Sequence, residues 1–196
     1  MELVWVPMQA VGQQEHGLPA PDDTALMARF ATGDTSAFEQ LYRRHRAPLY
    51  RYIVRLTPHR ADADEAFQEV WMAVVRGCGR YQPSARFVTY LYAIAHRRVA
   101  DQTRRNKRRS EVQIPENAVA QEASPQTLAE RAVLGTALQA AVGQLPLAQR
   151  EIFLLRAEGD LSLQEIAVVT GAPYETVKSR LKYANQFLRE KLGSWK

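Results

Sequence analysis

Residues 177–192 read Val-Lys-Ser-Arg-Leu-Lys-Tyr-Ala-Asn-Gln-Phe-Leu-Arg-Glu-Lys-Leu. Val177, Leu181, Ala184 and Leu188 recur at i, i+4, i+7 and i+11, which places them on one face of a helix. Lys178, Arg180, Lys182 and Tyr183 fall on the other faces. Upstream, Ser162-Leu-Gln-Glu165 is a capping box, in which the serine accepts from the helix N-terminus and the glutamate bonds back. The helix it starts carries Leu163, Ile166, Ala167 and Val169, and Gly171 ends it. Ala172-Pro-Tyr-Glu-Thr176 then turns the chain into the basic segment. A short capped helix, a turn opened by glycine and a basic second helix compose a helix-turn-helix. A helix apolar behind and basic in front suits the DNA major groove, which admits one α-helix. Two core helices of an ordinary α-domain are the plain alternative. The absence of acid from Val177 until Glu190 favours DNA.

The whole chain is consistent with a polyanionic partner. Its 196 residues carry a net charge of +5 and a pI of about 9.5. One cysteine, Cys78, excludes an intramolecular disulfide and fits a reducing compartment. No run of the chain reaches the ~18 apolar residues of a membrane span. Leu3-Val-Trp-Val6 lacks the basic flank of a signal peptide, so the expected location is the cytoplasm. Residues 1–21 mix Gly, Pro and Gln and read as a mobile extension. His16, His45, His59 and His96 are scattered, and no nucleophile constellation, phosphate-binding glycine loop or metal-ligand cluster stands out. The expectation is a protein without cofactor, metal or catalytic centre.

Residues 22–109 read as one helical block. Asp22 and Asp23 precede a short helix over Thr24–Phe30. Ser36-Ala-Phe-Glu39 is a second capping-box pattern, followed by Phe38, Leu41, Tyr42, Leu49, Tyr52, Ile53 and Leu56 at helical spacing. Pro48 inside that helix is expected to kink it. A third helix runs from an Asp62 N-cap to Gly77, burying Phe67, Val70, Trp71, Val74 and Val75. Asp62, Glu65 and Glu69 give it an acidic face. The helix dipole explains acids in the first turn but not Glu69, so the face suits a basic protein partner. Residues 77–86 form a loop, and Phe87–Arg109 a fourth helix. Residues 97–109 of that helix hold seven basic residues and one acid, Asp101. Tyr90 beside arginines suits unstacked bases, because rings stack on bases while cations follow phosphates. A core role for Tyr90 and Tyr92 with solvated arginines is the other reading.

Residues 110–126 contain no basic residue, three glutamates and two prolines, and read as an extended, mobile connector. Residues 127–196 then form a second domain. A helix over 127–142 is followed by one over Leu147–Arg156, started by Pro146 and stopped by Gly159, and then by the helix-turn-helix. The fold class is all-α: two small helical domains on a flexible linker. Such domains are not preorganised relative to each other.

Four stretches, in order and spacing, resemble the bacterial extracytoplasmic-function sigma factors of the sigma-70 family, which keep only regions 2 and 4. They are Gly33-Asp-Thr-Ser-Ala-Phe-Glu-Gln-Leu-Tyr42, Asp62-Ala-Asp-Glu-Ala-Phe-Gln-Glu-Val70, Phe87-Val-Thr-Tyr-Leu-Tyr-Ala-Ile-Ala95, and Leu161-Ser-Leu-Gln-Glu-Ile-Ala167 with Thr176-Val-Lys-Ser-Arg-Leu181. The resemblance spans residues 22–192. It implies an alternative sigma factor that binds core RNA polymerase, through its β′ and β subunits, and directs promoter recognition, melting and transcription initiation. It also implies an anti-sigma partner that holds the protein inactive. By resemblance, Asp62, Asp64, Glu65, Gln68, Glu69 and Trp71 form the polymerase-binding surface. Arg80, Arg86, Tyr90, Arg97, Arg98, Arg104 and Arg105 meet the minus-ten element and an extruded base. Thr176, Lys178, Ser179, Arg180, Lys182 and Tyr183 read the minus-thirty-five element, with Thr176 and Arg180 on phosphates. Tyr90 stands where the family usually has tryptophan and Arg97 where asparagine is common. Tyr183 and Asn185 replace frequent arginines, and Pro173 a common serine cap. These departures leave the promoter sequence open. A dimeric regulator reading a palindrome and a helical protein adaptor are the rival functions.

Overall fold

The computed structural model describes residues 22–81, 85–110 and 129–193, and is all-helical there. The expected extension over 1–21 and most of the expected linker lie outside those residues. Helices α1 (Asp23–Ala31), α2 (Thr35–Val54) and α3 (Arg60–Gly77) are followed by a 3-10 turn over Cys78–Arg80 and by α4 (Phe87–Ser110). Helices α5 (Ala129–Gln144), α6 (Leu147–Gly159), α7 (Leu163–Thr170) and α8 (Tyr174–Gly193) complete the described residues.

Local chemistry sets the helix starts, with two departures from expectation. Helix α2 is capped by Asp34, whose Oδ1 accepts from the Ser36 and Ala37 amides at 3.0 and 3.3 Å. The Ser36 box is therefore not used, because an ionised carboxylate two residues earlier already takes the orphan donors. Helix α3 starts at Arg60, two residues before Asp62, with His59 at its N-cap. Asp62 instead accepts from the side-chain amides of Gln102 and Asn106 on α4, at 2.9 and 2.6 Å. Helix α2 runs unbroken through Pro48.

The first four helices bury Leu26, Met27, Leu41, Leu49, Ile53, Val70, Val74, Phe87 and Leu91 in a shared core. Each such apolar side chain contributes about 1.5–3 kcal/mol on full burial. An aromatic cluster seals one side: Tyr42 and Trp71 are 4.9 Å apart between ring centroids, and Phe38 meets Trp71 edge-on at 5.7 Å. Helices α5–α8 bury Val142, Leu145, Ile152, Leu155, Ile166, Val177, Ala184 and Leu188. The Arg150 guanidinium donates to the carbonyls of Gly143 and Leu145, satisfying the C-terminal end of α5.

The two helical groups are not apart. Helices α6 and α7 pack on α2 and α4. Tyr52 and Tyr92 cross edge-on at 5.1 Å beneath this contact. Burial, followed by the carboxylates of Glu151 and Glu158 respectively, raises both phenols far above their usual range. A Cβ on Gly159 would stand 3.2 Å from the Tyr92 ring, so the last residue of α6 approaches α4 as closely as backbone allows. Apolar and charged surfaces of the two groups are mutually buried in this arrangement.

Candidate nucleic-acid interface

The helix-turn-helix is built by its own termini. Ser162 Oγ accepts from the Glu165 amide at 3.2 Å, and Glu165 Oε2 accepts from the Ser162 amide at 2.8 Å. Gly171 ends α7 at φ 68°, a left-handed conformation that glycine adopts without strain. The turn then delivers α8 with Val177, Ala184 and Leu188 buried and Leu181 half-buried. Lys178, Ser179, Lys182 and Tyr183 point to solvent, and Thr176 and Arg180 are half-buried beside them. Tyr183 is 59% exposed, so its ring and hydroxyl are open to a partner. The helix also carries an acid, Glu175, 3.6 Å from Lys178. That pair is exposed and contributes little.

A second cationic surface lies where α3 ends against α4. An open pocket of about 560 Å³ is lined by Arg76, Arg80, Tyr90, Arg97, Arg98 and Asp101 among others. Tyr90 forms part of its wall. The ring packs edge-on against Tyr81 at 5.3 Å, and its hydroxyl lies where a side chain at Gly77 would begin, 2.5 Å from an ideal Cβ. Glycine at 77 thus leaves room for the Tyr90 hydroxyl, in addition to ending the helix. Burial raises the Tyr90 phenol above its ordinary value, so it stays protonated. Arg97 is exposed and folds back to donate to the Ala93 carbonyl at 3.2 Å. Arg104 pairs with Asp101, and Arg80 is exposed at the pocket rim. Arg86 lies apart from this set. It reaches across to Glu165 at 3.4 Å and to the Asp160 carbonyl at 3.3 Å. Sequence reasoning missed Arg76, whose position in the last turn of α3 reads as ordinary dipole compensation.

The acidic helix α3 divides into two faces. Asp62 is held by Gln102 and Asn106, Glu69 lies 3.5 Å from Arg98, and Glu65 lies 4.0 Å from Arg105. The cations nearest this acidic face belong to α4 of the same chain. Trp71 is 5% exposed and packs in the aromatic cluster, so it supports the surface from beneath. The other face carries exposed Asp64, Gln68, Met72 and Val75 at i, i+4, i+8 and i+11. Asp64 there accepts from the Tyr50 hydroxyl at 2.7 Å. Val75 was expected in the buried stripe. It is 38% exposed and Met72 52%, because the core side of α3 is filled by Ala63, Ala66, Val70 and Val74.

Two family profiles match the chain: sigma-70 region 2 over residues 41–109, and sigma-70 region 4 over residues 135–186. The chain is 32% identical over 181 residues to the ECF RNA polymerase sigma factor SigE of Mycolicibacterium smegmatis, covering 89% of this chain and 70% of the relative. It is 33% identical over 172 residues to the ECF RNA polymerase sigma factor SigM of Mycobacterium tuberculosis, covering 87% and 85%. The chain belongs to the extracytoplasmic-function sigma factors of the sigma-70 family. Its fold is shared with CnrH solved in complex with the cytosolic domain of CnrY, at a TM-score of 0.63 and 24% identity over 88% of this chain and 97% of that one. It is also shared with the sigma factor RpoE of Bartonella quintana solved with the anti-sigma factor NepR, at a TM-score of 0.65 and 21% identity, over 80% and 96%. Members of this sigma family have no catalytic activity of their own, consistent with reading the surfaces above as binding faces. Among the described residues no His, Cys, Asp and Glu cluster is arranged to hold a metal ion, and no helix is long and apolar enough to cross a membrane.

Proposed function

We propose that the chain loads on core RNA polymerase in the cytoplasm and reads a two-element promoter, with α8 on duplex DNA upstream and the α3–α4 pocket on the melted strand downstream. The observation that carries this is the pairing of two unlike cationic surfaces. One is a convex helix with exposed Lys178, Ser179, Lys182 and Tyr183, shaped to enter a groove. The other is a concave pocket walled by Tyr90 and ringed by Arg76, Arg80, Arg97 and Arg98, sized for an extruded base. Arg104 and Arg105 extend the second surface along α4, where they follow phosphates.

The outward face of α3 is the polymerase-facing surface. Asp64 and Gln68 supply polar contacts, joined from the edge towards α4 by Glu65, which stays 54% exposed beside Arg105, and Met72 and Val75 give the face an apolar centre. Asp62, Glu69 and Trp71 act from behind, fixing α3 against α4 and the aromatic cluster. An anti-sigma factor is a natural further partner, since RpoE of Bartonella quintana was solved with one. Affinity for promoter is weak in the free protein and rises on polymerase, where both elements are engaged at one spacing.

The test is gel filtration with core polymerase followed by footprinting on a promoter selected from a random library. The expected result is a one-to-one complex that protects an upstream duplex segment and renders downstream thymines reactive to permanganate. A protein that protects a palindrome as a dimer without polymerase would overturn the proposal.

A further inference from the structure

Helix α8 carries an acid in its first turn, Glu175, on a face that otherwise presents cations. Glu175, Lys178 and Lys182 stand at i, i+3 and i+7, share one side of the helix and are all exposed. The Glu175 carboxylate lies 3.6 Å from Lys178 Nζ, with the two side chains 59% exposed for the lysine and 78% for the glutamate. That separation is too long for a hydrogen bond, so both groups keep their bonding capacity. Among the described residues Glu175 caps no backbone amide. The start of α8 is closed by the Pro173 carbonyl, which accepts from the Thr176 and Val177 amides at 2.9 and 3.0 Å. The neighbouring Ser179 hydroxyl is turned back, donating to the Thr176 carbonyl at 3.0 Å. Glu175 and Lys178 are therefore the open charged pair of the first turn.

Stability gives Glu175 little reason to stand there. An exposed ion pair contributes little. The helix dipole favours an acid in the first turn, but positions 174 and 176 would serve it equally and lie off the cationic face. On a helix that enters a groove, a carboxylate among phosphates weakens binding to every sequence unless it meets a donor. The major groove offers two, the N4 amine of cytosine and the N6 amine of adenine. Recognition helices meet base edges through their N-terminal residues, which is where Glu175 and Lys178 sit.

Base-pair chemistry selects between the two donors. Glutamate accepts from cytosine N4, and lysine donates to guanine O6 and N7. In a C·G pair the N4 amine and O6 are hydrogen-bonded partners, so they lie side by side on the groove edge. A carboxylate and an ammonium 3.6 Å apart match that juxtaposition. An A·T pair satisfies the carboxylate through N6, but thymine offers the ammonium one acceptor, O4, beside its methyl group. Lys178 would then make one bond in place of two.

We propose that Glu175 and Lys178 act as one composite reader of a C·G base pair in the upstream element, with Glu175 on cytosine N4 and Lys178 on guanine O6 and N7. The inference rests on α8 as the reader of upstream duplex and names the base pair that its first turn selects.

The test uses holoenzyme assembled from core polymerase and the full chain. Competition binding and footprinting are run on promoter fragments that carry each of the four base pairs, in turn, at every upstream position. Wild type should prefer C·G at one position by about tenfold, within the roughly 5- to 150-fold range of a good base contact. Glu175→Ala should flatten the preference at that position alone. It should also bind fragments lacking the C·G pair more tightly than wild type, because a charge that repels phosphates is gone. Glu175→Gln should move the preference from cytosine to adenine, whose N6 and N7 suit an amide. Lys178→Ala should flatten the same position. Melting temperatures should match wild type throughout, since both side chains are exposed. Upstream protection with no C·G preference, a Glu175→Ala variant that changes all sequences alike, or a Lys178→Ala effect at a different position would overturn the composite reader and leave α8 as the upstream element's reader. A wild-type holoenzyme that protects no upstream duplex would refute α8 as that reader and this proposal with it.

Discussion

Replacing Gly77 by alanine should leave the protein stable and cripple promoter melting. Gly77 ends α3 with φ −93° and ψ −7°, which alanine adopts freely. Alanine there gains up to about 0.5–1 kcal/mol from reduced chain freedom in the unfolded state. The new Cβ, however, falls 2.5 Å from the Tyr90 hydroxyl oxygen, closer than real carbon atoms approach. The ring must swing away, at about 0.5–1.5 kcal/mol if it leaves its rotamer. These effects nearly cancel, so the melting temperature should move by only a few degrees. Function does not cancel, because Tyr90 is a wall of the pocket proposed to take the extruded base. Loss of one stacking platform is worth ~1–3 kcal/mol, or roughly 5- to 150-fold in the stability of the open complex. Permanganate reactivity of the melted thymines reads this directly. Tyr90→Phe supplies the control. It removes the oxygen that clashes and leaves the next ring atom, Cζ, 3.9 Å from the Cβ, an ordinary contact. The double variant Gly77→Ala, Tyr90→Phe should therefore melt promoter nearly as well as wild type. A single Gly77→Ala variant with full melting, or a double variant no better than the single, would refute the placement of Tyr90.

Three further outcomes are expected. Lys178→Ala and Tyr183→Ala should each lose upstream-element discrimination worth ~1–3 kcal/mol in competition binding, whereas equal weakening on every sequence would make them phosphate contacts. Met72→Asp should abolish co-purification with core polymerase without lowering the melting temperature, because Met72 is half in solvent; Asp62→Lys should lower the melting temperature as well, since it strands the Gln102 and Asn106 amides. Asp34→Ala should lower the melting temperature at neutral pH and cease to matter in strong acid. The Ser36 hydroxyl, then Arg29, hold the Asp34 carboxyl down at about 2. A depressed pKa contributes stability that is present above the unfolded value of about 3.9 and is lost as pH falls through about 2. A gap between variant and wild type that persists unchanged at pH 2 would contradict the capping role.

What the sequence disclosed was whatever depends on near neighbours in the chain. The capping box at Ser162 and Glu165, the glycine at 171 and the apolar stripe of α8 are all settled within a few residues, and all were legible. Where two local signals overlapped, the wrong one was chosen. Asp34-Thr-Ser36 and Ser36-Ala-Phe-Glu39 both offer a cap for α2, and the carboxylate wins by charge-assisted bonding. Asp62 looked like a cap for the same reason, but its partners are forty and forty-four residues away on α4. The division of α3 into an inward acidic face and an outward face centred on Met72 was not legible, because it depends on how α3 lies against α4. The partners of Glu151 and Glu158 on α2 and α4 were not legible, nor was the bond of Glu165 to Thr89 beyond its capping box, because each depends on how α6 and α7 lie against α2 and α4. The Gly77–Tyr90 approach is likewise a fact of packing. A glycine at a helix end explains itself locally and conceals its second role.

The most direct measurement is run-off transcription by bacterial core polymerase on a genomic promoter library, with and without the protein. The account predicts new start sites that share two motifs at constant spacing, lost on Met72→Asp and reduced on Gly77→Ala. Start sites identical with and without the protein, although it binds core polymerase, would contradict promoter reading by α8 and the α3–α4 pocket.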